Sequence, residues 1–95
     1  MASYRLSEEA KDDLIRIHCF GTENFGINQA DKYFEGFFSC FDRIAENPFL
    51  YESVDYIKES YRRCVCQADS IYFKINHDTV EIMANVGRQD LSQLT

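Results

Sequence analysis

The sequence has no surplus of cations. Ten lysines and arginines stand against sixteen aspartates and glutamates, a formal net charge of −6. A protein held to nucleic acid through phosphate contacts normally carries a strong basic excess. Direct nucleic-acid binding is therefore not expected, and Arg62-Arg63 is the only local basic pair. Long apolar runs are missing too. No segment approaches the roughly 18 apolar residues of a membrane span. The opening Met1-Ala2-Ser3-Tyr4-Arg5 lacks an apolar stretch of signal-peptide length. These absences point to the cytoplasm and away from a membrane, and they predict that Cys19, Cys40, Cys64 and Cys66 are free thiols. Paired metal ligands are also scarce. Cys64-x-Cys66 has a one-residue spacing and no second Cys/His pair nearby, so no metal is expected. Residues two apart on a strand share a face, which makes these two small core residues. No internal repeat or low-complexity segment interrupts the chain, and no cofactor is expected.

Core material, in contrast, is plentiful. Hydrophobic residues make up 45% of the chain, with eight phenylalanines and six tyrosines among them. Large aromatics bury much area each, which compensates for the modest burial open to a single 95-residue domain. One domain over residues 1–95 follows, with a polar tail from about residue 88.

The apolar pattern changes period along the chain. Residues 3–6 alternate as a short strand, and Ser7 follows as a helix N-cap with Glu8 and Glu9 in the first turn. Ala10, Leu14 and Ile17 recur at helical spacing, Ile15 and Phe20 widen the stripe, and the helix ends between Gly21 and Gly26. Asn28 is a second N-cap. From it Ala30, Phe34, Phe37, Phe41 and Ile44 form the strongest helical stripe, broadened by Tyr33, Phe38 and Ala45, until Pro48 stops the helix. A short linker makes the two helices an antiparallel hairpin. Residues 49–60 read as a crossing loop with some apolar anchors. Residues 61–66 and 70–76 read as strands joined by Gln67-Ala68-Asp69. His77-Asp78 turns into a last strand over 79–86, which places Val80, Ile82, Ala84 and Val86 on one face. Gly87 ends it, and the tail carries Leu91 and Leu94. The predicted fold is α+β: a short N-terminal strand, a two-helix hairpin, then a three-stranded antiparallel meander. The helices pack on one sheet face and leave the other open.

This order, and the residues in it, resemble the RelE/ParE toxin family. The likeness rests on Tyr4-Arg5-Leu6-Ser7 with Ala10, Asp13-Leu14 and Ile17. It continues through Gly26, Gln29-Ala30 and Tyr33, then the run Ile44-Ala45-Glu46-Asn47-Pro48. Tyr61-Arg62, Tyr72-Phe73 and Arg88-Gln89-Asp90 complete it, so it spans nearly the whole chain. The resemblance implies the toxin of a type II toxin–antitoxin system, in hetero-complex with an antitoxin that is disordered when free. Within the family, RelE-like members cut mRNA on the ribosome, whereas ParE-like members inhibit DNA gyrase. RNA cleavage by its own 2′-hydroxyl needs a base, an acid and cations around the phosphate. After Tyr72 the only His or Tyr is His77, in a turn, and the last strand and tail offer only Arg88 as a cation. The expectation is therefore a ParE-like inhibitor of DNA gyrase and not an enzyme, with a ribosome-dependent mRNA endonuclease or a non-toxic binding module as the alternatives. The chain departs from many members of the family in being acidic.

Candidate site residues follow from these readings. Arg62, Arg63, Arg88 and Asp90 are the candidates for target binding, the two adjacent arginines pointing to opposite faces. Ile17, Phe20, Phe37, Phe38 and Phe41 are the candidates for antitoxin binding. Phe37 and Phe38 cannot both face one core, so one of them is expected at the surface. His18 and His77 read as a helix-flank and a turn residue, and no catalytic residue is assigned.

Overall fold

In a computed structural model, residues 3–87 are described. The order is β1 (Ser3–Leu6), α1 (Glu8–Phe25), α2 (Ile27–Glu46), a 3₁₀ turn (Pro48–Leu50), β2 (Glu52–Ser53), β3 (Arg62–Cys66), β4 (Asp69–Asn76) and β5 (Thr79–Gly87). The strands form one sheet in the order β1-β5-β4-β3-β2. β1 pairs parallel with β5, and every other pair is antiparallel. The predicted strands, hairpin and meander are all present, and β2 adds a fifth strand inside the segment read as a loop.

Local chemistry fixes the helix ends. Ser7 Oγ accepts from the Ala10 N–H at 3.0 Å and donates to the Met83 carbonyl at 3.1 Å, so one hydroxyl caps α1 and ties it to β5. A single residue, Gly26, separates the helices, at φ 89° and ψ 162°. Its N–H closes the end of α1 on the Thr22 carbonyl at 3.1 Å, and its carbonyl opens α2 by accepting from Ala30 N at 3.0 Å. The N-cap of α2 is therefore Gly26 and not Asn28. Only glycine adopts this backbone region readily. A Cβ at Gly26 would meet nothing within 4 Å. Gly26→Ala should accordingly lower stability by about 1–3 kcal/mol through backbone strain alone. Urea unfolding checks this, and an unchanged midpoint would show that the hairpin does not need the turn.

The main core lies between the hairpin and the sheet. Phe37, Phe41 and Ile44 of α2 meet Ile71, Phe73, Val80 and Ile82, with Ala10 and Leu14 of α1 beside them. The helices approach closely at Gly21, where a Cβ would lie 3.3 Å from the Ala30 Cβ. Cys40 and Cys66 form a disulfide, with Cα atoms 6.4 Å apart, that fastens α2 to β3. This corrects the expectation of four free thiols. Cys64 is buried and Cys19 exposed, both unpaired. Cys64 and Cys66 do share the core face, as their spacing predicts.

Two further corrections concern the sheet. Tyr72 pairs with Ala84 while Phe73 pairs with Ile82, so Met83 is an extra residue in β5. The bulge reverses the alternation. Val80 and Ile82 face the helices, but Ala84 and Val86 turn to the opposite face and pack with Tyr72 and Val54. That opposite face is not open. Val54, Ile57 and Tyr61 cover part of it in a second core, held by Val54 N to Tyr61 O at 2.8 Å and Ile57 N to Val54 O at 2.8 Å. The bulge also turns Asn85 inward. It is fully buried, its N–H donates to Asp13 Oδ2 at 3.0 Å, and its side-chain amide reaches the Ala10 carbonyl at 3.4 Å.

Candidate functional site

One groove combines concavity with exposed apolar side chains. It lies where the second half of α1, the first half of α2, the β3–β4 turn and the end of β5 meet, and it encloses about 870 Å³. Ile17, Phe20 and Phe25 form one wall, Gln29, Ala30 and Tyr33 the other, and Ala68, Asp69 and Gly87 close the sheet end. Phe20 is 53% exposed and Phe25 69%. Ile27, just past the interhelical turn, is half-exposed as well. Large apolar side chains grouped at a surface concavity are the usual mark of a binding site.

The polar end of the groove is rigid. Tyr33 donates its hydroxyl hydrogen to Asp69 Oδ2 at 2.8 Å, and the Tyr33 hydroxyl oxygen accepts from Ala68 N at 3.1 Å. Gln67 Nε2 donates to the Tyr33 carbonyl at 2.9 Å, beside Gly36. Burial, then the Asp69 hydrogen bond, pushes the Tyr33 pKa up to about 12. Gln67 sits at φ 58°, so the turn is drawn tight against α2. These bonds hold the β3–β4 turn as a fixed wall.

The whole chain from β1 to just past β5 carries a family pattern: residues 4–90 match the family described as "ParE toxin of type II toxin-antitoxin system, parDE". The chain belongs to the ParE toxin family. Toxin ParE1 of Caulobacter vibrioides is 29% identical over 75 residues, covering 79% of this chain and 78% of that protein. Toxin ParE1 of Mycobacterium tuberculosis is 25% identical over 81 residues, 84% of this chain and 83% of that protein. Among solved structures, "Chromosomal ParDE TA system from P. aeruginosa" superposes with a TM-score of 0.81 at 15% identity, over 92% of this chain and 96% of that one. The Helicobacter pylori protein HP0894 superposes with a TM-score of 0.61 at 14% identity, over 96% and 99%. At such identities the structural likeness establishes the fold.

On this ParE scaffold the predicted site residues separate. Ile17 and Phe20 come together in the groove. Phe37 and Phe41, expected at the antitoxin surface, are fully buried in the main core, so neither is available to a partner. Phe38 is only partly buried, its ring 5.5 Å from Phe41 and 5.2 Å from Phe34, so of the adjacent pair it is Phe38 that reaches the surface. Sequence reasoning misses Phe25. Its signal is the continuation of the apolar stripe past Gly21, which does not interrupt α1 but allows α2 to approach.

Both β3 arginines are engaged within the chain. Arg62 donates to the Tyr51 carbonyl at 2.7 Å and stacks over the Phe49 ring at 5.2 Å. Arg63 makes two bonds to Glu52 Oε2, at 3.1 and 2.7 Å, fastening β2 to β3. Arg88 and Asp90 lie outside the described residues. Near Arg62 the exposed Phe49 lines a second, open depression of about 530 Å³ bounded by Pro48, Ile75, His77 and Val80. His18 bonds Asp31 at 2.8 Å on the hairpin, whereas His77 occupies the β4–β5 turn at φ 60°. Among the described residues no group of three side chains could hold a metal ion, and no helix is long and apolar enough to cross a membrane.

Proposed function

We propose that this ParE family member is a toxin that works by binding a protein, DNA gyrase, without catalysis, and that a cognate antitoxin neutralises it by covering the groove between α1 and α2. The groove carries the reading. Phe20 and Phe25 stand exposed around a concavity with one rigid polar wall, an arrangement suited to an amphipathic helix laid across it. An antitoxin segment that is disordered when free loses conformational entropy on binding, and the apolar surface of the groove offsets that loss. The hetero-complex would form in the cytoplasm, where gyrase works. The "ParDE" system of P. aeruginosa, similar in fold, supports a partnered toxin.

Inducible expression of the chain, alone and with the product of the gene beside it, is the test. Alone it should arrest growth and induce the DNA-damage response, and the purified chain should inhibit supercoiling by gyrase. Co-expression should restore growth. Intact supercoiling together with codon-positioned mRNA cleavage would overturn the gyrase reading in favour of a ribosome-dependent nuclease. Unimpaired growth would make the chain a non-toxic binding module.

A further inference from the structure

Cysteines gather where α2 lies against β3. Cys40, Cys64 and Cys66 are all buried in the main core, and Cys40 is bonded to Cys66. The surroundings suit the open pair as well as the closed one. The exposed Arg43, one turn along α2, places Nη2 3.2 Å from Cys40 Sγ. A guanidinium there favours a negatively charged sulfur. Cys66 Sγ lies 3.7 Å from the Gly36 carbonyl oxygen, which would accept from a Cys66 thiol. Cys66 also stands where the sheet opens readily. β2 pairs with Arg62 and Arg63, so among the described residues no strand flanks the rest of β3 on that side, and the exposed Gln67 and Ala68 follow. Cys64 is a bystander. Burial pushes its thiol pKa up, and the protonated thiol is a poor nucleophile.

We infer that the Cys40–Cys66 bond is a reversible redox clasp, opened by dithiols and closed by small disulfides, that sets how firmly the β3–β4 turn is held to α2. One thiolate of the dithiol attacks Cys66 Sγ. The S–S bond breaks toward Cys40, whose sulfur keeps the electron pair beside Arg43. The second thiolate then attacks the mixed disulfide and leaves as the oxidised dithiol, and Cys66 takes a proton. Two electrons pass to the chain. Once the bond is open, the turn keeps two exposed hydrogen bonds, Gln67 Nε2 to the Tyr33 carbonyl at 2.9 Å and Ala68 N to the Tyr33 hydroxyl at 3.1 Å. Such bonds compete with water and hold a turn weakly. Phe37, Phe41, Ile71 and Phe73 still pack the core, so the chain stays folded.

The test uses the purified full-length chain, oxidised with glutathione disulfide and then treated with dithiothreitol. Thiol alkylation and peptide mapping should show the Cys40–Cys66 bond before treatment and four free cysteines after it. Melting should stay cooperative, with its midpoint lowered by at least about 8 °C. Hydrogen exchange at Ala68 should quicken at least about tenfold. Renewed glutathione disulfide should reverse both changes. The Cys40→Ala/Cys66→Ala variant should behave as the reduced chain in either buffer. Arg43→Gln should slow reduction by at least about threefold, and Arg43→Lys, which keeps the charge, should not. Unfolding on reduction, a bond through Cys19 or Cys64, an unchanged midpoint, or reduction only in denaturant would overturn the inference.

Discussion

Replacing Phe37 by alanine should lower folding stability by about 3–5 kcal/mol. Phe37 has no solvent exposure, and its ring lies 5.4 Å from Tyr33 and 6.4 Å from Phe41. Truncation would leave a cavity between α2 and the sheet, which dense packing in a small core cannot close. Domains of this size have only about 5–15 kcal/mol to lose. The urea midpoint should fall sharply at constant m, and the melting temperature should drop by at least about 12 °C. A stable variant that had lost only its antitoxin affinity would show that Phe37 works at the surface after all.

Phe37 also marks where the sequence stopped being informative. The helix hairpin was legible because its apolar positions recur at 3.6-residue spacing and Pro48 ends the pattern. The three-stranded meander was legible from alternation and its two turns. Periodicity says that a residue lies on an apolar stripe, but not how deep it lies once a sheet is laid against that stripe. Phe37 and Phe41 therefore read like Phe20, although two of the three are fully buried and the third is half-exposed. The bulge at Met83 was hidden for a related reason. Val80, Ile82, Ala84 and Val86 alternate without a break, and an inserted residue leaves no mark when both faces have apolar neighbours. On the helix side those neighbours are Phe41 and Ile71, and on the other Val54 and Tyr72. β2 escaped notice because Glu52-Ser53 is only two polar residues, and what makes it a strand is its backbone pairing with Arg63 and Arg62 of β3, which the Arg63–Glu52 side-chain bond accompanies. The Cys40–Cys66 disulfide joins residues 26 apart, a proximity that only the packing of α2 on β3 creates.

The opposite behaviour is expected of Phe20. Its ring is 53% exposed at the groove, so truncation to alanine removes little buried area and should change stability by no more than about 1 kcal/mol. Affinity for the antitoxin should respond far more. A large aromatic on the wall of an apolar groove is the kind of anchor whose loss costs at least about 2 kcal/mol of binding, or a rise in Kd of roughly 30-fold. Phe49→Ala provides the contrast. Phe49 is 72% exposed, but it stands at the other end of the sheet, beside Arg62 and the β4–β5 turn. It should leave antitoxin affinity unchanged. Both variants belong in one titration against the purified antitoxin, with thermal melting run in parallel and growth rescue scored in cells. Weak binding by the Phe49 variant, with the Phe20 variant unaffected, would move the antitoxin interface from the helix hairpin to the loop between α2 and β2.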